Sequence, residues 1–177
     1  MAEFQAADAR ATVLARALTP QQLNWQPQPG SWSIGQCLEH LHVANEVYLP
    51  PMTHAIKGSP RALVPEIRVG WLGRWFIRQY IEPDTQRRRR RSPGKIKPAA
   101  QVSTDMLDRF LAGNQAARDL VQRASQCDVN RVRFRNPFVP VLRWSVGTGL
   151  EILSRHQRRH LGQAERVRES QGFSAIA

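Results

Sequence analysis

Cysteine is scarce in this chain. Cys37 and Cys127 are the only two in 177 residues, too few for a disulfide framework, so a reducing compartment, the cytoplasm, is expected. Long apolar runs are missing as well. No stretch reaches the roughly 18 residues that a membrane-spanning helix needs, and the most apolar segment, Phe138 to Val146, is broken by Pro140 and Arg143. The opening MAEFQAADARATVLARAL scatters its charges and has no basic patch ahead of an apolar core, so it does not read as a signal peptide. No contact with a membrane is expected. Acid is in short supply too: 14 Asp and Glu stand against 26 Lys and Arg, a net charge of +12. That balance suits anionic partners or substrates without choosing among them. No internal repeat is visible. With 41% hydrophobic residues the chain can nonetheless build a core, and its length suits one domain over residues 1–177.

Helical periodicity organises most of what remains. Phe4, Ala7, Ala11, Leu14, Ala15 and Leu18 form one stripe, stopped at Thr19-Pro20. Asn24 to Gly30 carries two prolines and a glycine, and reads as an extended connector leading to Trp32. Ser33 and Gln36 stand at capping-box spacing, so a second helix is expected from there to Pro50-Pro51, with a turn or two beyond. Val69 to Ile81 suggests a short aromatic helix, followed by a basic crossover loop at about 82–100. Arg87 to Lys97 holds five Arg and two Lys with no acid; without them the excess charge would fall to +5. A third helix is predicted from about Ser103 to Ser125, an extended connector or isolated ribbon over Val129 to Leu142, and a last helix from Trp144 to Ser170. The expected fold is all-α: a four-helix bundle with a long crossover between the second and third helices.

Five histidines occur, and the informative pair is His156 and His160. Four apart on an amphipathic helix, their rings stack on one face within reach of a shared ion. His40 falls on the inward row of the second helix with Cys37, Ala44 and Val47. His42, two positions on and about 200° round the helix, should face outwards. Three core histidines need three separate buried partners or one shared metal, and periodicity alone leaves both open.

Leu23-Asn24-Trp25, then Pro29-Gly30-Ser31-Trp32-Ser33-Ile34-Gly35-Gln36-Cys37-Leu38-Glu39-His40-Leu41, resembles the opening of the DinB-like (DinB/YfiT-type) metal-binding four-helix proteins. Arg155 to Gln163 resembles that family's C-terminal HxxxHxxQ signature. The resemblance implies that His40, His156 and His160 bind one divalent cation and leave positions open for water or substrate. Zinc or nickel leads, with iron, manganese and cobalt also compatible with imidazole. Gln163 would hydrogen-bond a ligand ring or a bound water. Many relatives have a further histidine where this chain has Arg159. A closed four-ligand site with Cys37 is geometrically conceivable, although a buried thiol more often behaves as a small hydrophobe.

The family resemblance further implies a thiol-dependent transferase or isomerase, or a hydrolase, acting on a small molecule, with a low-molecular-weight thiol as cosubstrate. A homodimer is in keeping with such bundles. No general base accompanies the motif: neither Glu39 nor Glu151 shares a face with the histidines. The competing reading is a non-catalytic binding protein whose Arg87–Lys97 loop, with Arg131, Arg133, Arg135 and Arg143, holds nucleic acid or another anion. Nucleic acid is the weaker choice, because the Arg run holds no aromatic residue and no nucleic-acid fold signature appears. A metal serving only as a clasp between the second and last helices is the third.

Overall fold

The computed structural model describes residues 1–62, 66–82 and 92–176. Among these, the chain forms six α-helices: α1 (Ala2–Ala15), α2 (Pro20–Asn24), α3 (Ile34–Ile56), α4 (Trp71–Phe76), α5 (Met106–Ala124) and α6 (Val146–Arg168). A two-stranded ribbon, β1 (Arg133–Arg135) and β2 (Arg143–Ser145), precedes α6. The fold is all-α apart from that ribbon. The run Arg87–Arg91 lies outside the described residues.

Caps set the boundaries of the site-bearing helices. Ser33 Oγ accepts from the Gln36 backbone N–H, and the Gln36 side chain accepts from Ser33 in return, which saturates two donors at the start of α3. The helix continues through Pro50 and Pro51 to Ile56. Two backbone donors are lost there, but burial of Tyr48, Leu49 and Met52 holds the segment in place. Ser145 Oγ accepts from Thr148 N–H and starts α6, so Trp144 lies in β2 rather than opening the helix as expected. Two further boundaries differ from the periodic reading. Helix α5 begins at Met106, not Ser103, after a turn in which Met106 N–H donates to the Ser103 carbonyl. Helix α1 ends at Ala15, and Thr19-Pro20, taken only as a stop, caps the short α2 with its own reciprocal box.

Each of α1 and α3 packs against both α5 and α6. The core divides into two apolar clusters. One centres on Cys37, Leu38, Leu41, Phe110 and Leu161, the other on Met52, Leu120, Phe134, Trp144 and Leu153. Between them on the helices sits a belt of amides. Asn45 of α3 donates to Asn114 of α5 at 3.0 Å, Gln157 of α6 donates to the same oxygen at 2.6 Å, and Asn114 donates to Asp8 of α1 at 2.8 Å. Asp8 in turn pairs with Arg118. The belt therefore touches all four long helices.

The ribbon and α4 cover α3 and α6 as an outer layer. Phe134 and Trp144 are paired across the strands and both point inward. Trp144 meets Phe76 at 5.5 Å between ring centroids, and Phe134 meets Tyr48 at 6.2 Å. This close seating needs a glycine at 149, where a Cβ would lie 2.9 Å from the Phe134 ring and the Met52 sulfur. After Phe76 the helix widens into one π-helical turn, Ile77–Ile81, which buries Ile77 and Ile81 against the bundle.

Candidate metal centre

The local fold carries three histidines to one point inside the bundle. His40 lies two turns into α3, and His156 and His160 lie one turn apart on α6. All three are buried, and each offers a ring nitrogen within 4.8 Å of the others. His40 Nε2 and His156 Nε2 stand 2.9 Å apart. Ring centroids are 4.5 to 4.7 Å from one another, and the rings meet edge to face.

Their neighbours fix which nitrogen faces inward. His40 Nδ1–H donates to the Ile96 carbonyl at 2.6 Å, an oxygen that can only accept, so Nε2 keeps its lone pair. His160 Nδ1–H donates to Gln163 Oε1 at 3.0 Å, which likewise leaves Nε2 free. Two ring nitrogens as close as those of His40 and His156 repel through their lone pairs unless a proton or a cation lies between them. A tetrahedral ion with bonds of about 2.0–2.1 Å holds its ligand nitrogens about 3.3 Å apart, near the 2.9 Å between His40 and His156 and inside the 4.8 Å that spans the cluster. The donor set fits a divalent metal. Orienting an imidazole by binding its other nitrogen is how metal-binding histidines are commonly held.

Electrostatics keep the rings neutral and competent to ligate. Burial pushes the His40 imidazole down from 6.5 to about 4, against the pull of the Ile96 carbonyl, and nearby Arg159 lowers it further. His156 and His160 are held well below the ordinary value by burial first, then by their histidine neighbours and Arg159. Between pH 6.5 and about 4 the unfolded chain takes up protons at these positions and the folded one does not. Stability of metal-free protein is therefore expected to be greatest above pH 6.5 and to fall as pH drops towards 4. Urea unfolding across that range measures it, and a flat profile would show that the rings protonate within the fold.

The remaining sequence candidates separate clearly. Gln163, half-buried, reaches His160. Cys37 does not join the cluster: it lies in the apolar cluster beside Leu38 and Phe110, and burial pushes its thiol up to about 12, so it is a protonated core residue. Glu39 accepts from the Ala99 N–H and Glu151 pairs with Arg155, both away from the histidines. His42 departs from its expected outward position and is 8% exposed. Helix α3 packs against neighbours on several sides, so a 200° turn leads from one contact into another. His42 Nε2 lies 3.3 Å from both Glu46 and Arg109, and its Nδ1 sits over Gly113 of α5.

Two contributors were not predicted. Trp32 packs on His160 at 5.4 Å, nearly parallel, and on His40 at 4.7 Å. Its place one residue before the Ser33 cap was the available signal. The Ile96 carbonyl left none, since a backbone oxygen has no residue-type signature. Arg159 donates to the carbonyls of Tyr80 and Ile81, joining α6 to the π-helical turn beside the cluster.

Residues 3–164 match the family model of the DinB superfamily. No curated protein and no solved structure matches the chain.

Proposed function

Because the chain belongs to the DinB superfamily, and because three buried neutral imidazoles converge in it, we propose that it is a divalent-metal-dependent enzyme. His40, His156 and His160 are the ligands, with zinc or nickel the leading metals, and thiol-dependent S-transfer or isomerisation, or hydrolysis, the reaction class. The observation that carries the reading is the orientation of His40 and His160, whose Nδ1 atoms are both engaged so that Nε2 faces the cluster. A cation bound there supplies Lewis acidity, which acidifies a water or a thiol that reaches it.

The chain's own residues supply the rest. Ile96 and Gln163 hold two of the rings, and Trp32 shields them from water on one side. Arg159, whose charge is felt by all three histidines, gives the site a positive potential. That favours an anionic or thiolate-bearing small molecule. Three protein ligands rather than four correspond to an open, catalytic type of site.

Elemental analysis of untagged protein, followed by thiol-transfer and hydrolase screens with the metal found, tests the proposal. Activity lost to chelator and restored by that metal supports it; protein that is empty and refuses added metal overturns it. Gln163→Ala is expected to weaken metal affinity or activity about 10- to 100-fold, as loss of a residue orienting a ligand does, measured by competition with a chromogenic chelator.

A further inference from the structure

We infer that the outer layer formed by α4 and the ribbon is a docking surface for an anionic lipid bilayer, a property beyond the metal chemistry proposed above and the reverse of the membrane-free reading of the sequence. The inward side of this layer is accounted for by Phe134, Trp144 and Ile77. Its outward side is not. Trp71 is 74% exposed and Trp75, edge-on to Tyr80 at 5.9 Å, is 44% exposed, on a helix that also presents Arg78 and, bonded to the Val69 carbonyl, Arg74 to solvent. On the ribbon, Arg133, Arg135 and Arg143 all face outward, and Arg135 stands directly opposite Arg143 in the register.

Like charges placed opposite each other on a strand pair destabilise it, and an exposed indole gains nothing from water. Neither 67–81 nor 131–145 contains an acid. Among the described residues, Arg78, Arg133, Arg135 and Arg143 have no carboxylate partner. The Phe76–Trp144 contact sets the two elements side by side.

Tryptophan beside arginine is the composition that lies at a bilayer interface, with rings at headgroup depth and guanidinium groups on lipid phosphate. The tip of the ribbon adds Val141, 85% exposed, an aliphatic group with a use in lipid and none on a nucleic-acid backbone. No helix of the described residues is long and apolar enough to cross a membrane, and docking on its surface requires none. The π-helical turn that ends this layer binds Arg159 through its carbonyls. That turn therefore links the layer to α6, the helix that carries His156 and His160.

Sedimentation with two vesicle preparations tests the inference, one of phosphatidylcholine and one of equal parts phosphatidylcholine and phosphatidylglycerol. The protein is expected to pellet with the second only, less so as salt is added, with a blue shift in tryptophan emission. Arg135→Gln with Arg143→Gln should weaken partitioning about thirtyfold, at the usual contribution of each cation near an anionic surface. Trp71→Ser with Trp75→Ser should remove the blue shift. All four side chains are exposed, and an unchanged melting temperature and metal content in both variants confine the effect to this surface. Three results would overturn the inference: no preference for anionic vesicles; binding to a single-stranded oligonucleotide in place of vesicles; or a vesicle-free dimer whose tryptophan emission is already blue-shifted and whose association the Trp71→Ser, Trp75→Ser variant loses.

Discussion

His156→Ala is expected to reduce bound metal from about one equivalent per chain to a trace, with affinity falling by more than the 10- to 100-fold that loss of an orienting residue costs. The ring is one corner of a near-equilateral triangle of imidazoles. Its Nε2 is 2.9 Å from that of His40, and its centroid is 4.7 Å from both other imidazoles. Alanine leaves two nitrogens from different helices, too few to hold the ion with the affinity of three converging imidazoles. Elemental analysis beside the parent reads the loss directly. The melting temperature separates two roles for the metal. If the ion works as a clasp between α3 and α6, added metal raises the melting temperature of the parent and not of the variant. Metal retained in full by the variant would overturn the assignment of His156 as a ligand.

Asn114→Ala is expected to cost about 3–5 kcal/mol of unfolding free energy, from two buried partners orphaned at about 1–3 kcal/mol each together with the cavity left behind. Asn114 is fully buried, and its amide ties Asn45, Gln157 and Asp8 together. The truncation leaves the Asn45 nitrogen and the Gln157 amide without that partner, while Asp8 keeps Arg118. Urea denaturation measures the change. A loss under about 1 kcal/mol would mean that water replaces the amide.

Much of this architecture was readable in advance because caps and periodicity are local. The Ser33–Gln36 box places α3, and His40, His156 and His160 fall on inward rows that a 3.6-residue repeat reveals. Asn114 falls on the same helical repeat of α5 as Phe110 and Ala117, but periodicity does not say what a buried amide binds. The misreading of His42 has the same origin. A helical wheel gives an angle and not the number of neighbours, and α3 is covered on more than one side. Trp144 reads as helix from periodicity because its strand spans only three residues and owes its existence to pairing with Phe134 of β1, ten residues earlier in the chain. Ile96 belongs to a stretch with no periodicity at all, and it matters through an atom that every residue possesses.

The positions of the three histidines along the chain also bear on how the centre assembles. His40 and His156 are 116 residues apart, whereas His156 and His160 are neighbours on one helical face. Holding an ion between the distant pair in an otherwise unfolded chain closes a loop of that size, at an entropic cost of about 4–5 kcal/mol, as for a disulfide of comparable span. The adjacent pair closes almost none. An ion held by these residues would thus be captured in order, weakly by the last helix once it is helical and fully only when α3 docks and brings His40. Metal supply would then bear on the final docking step of folding more than on its beginning.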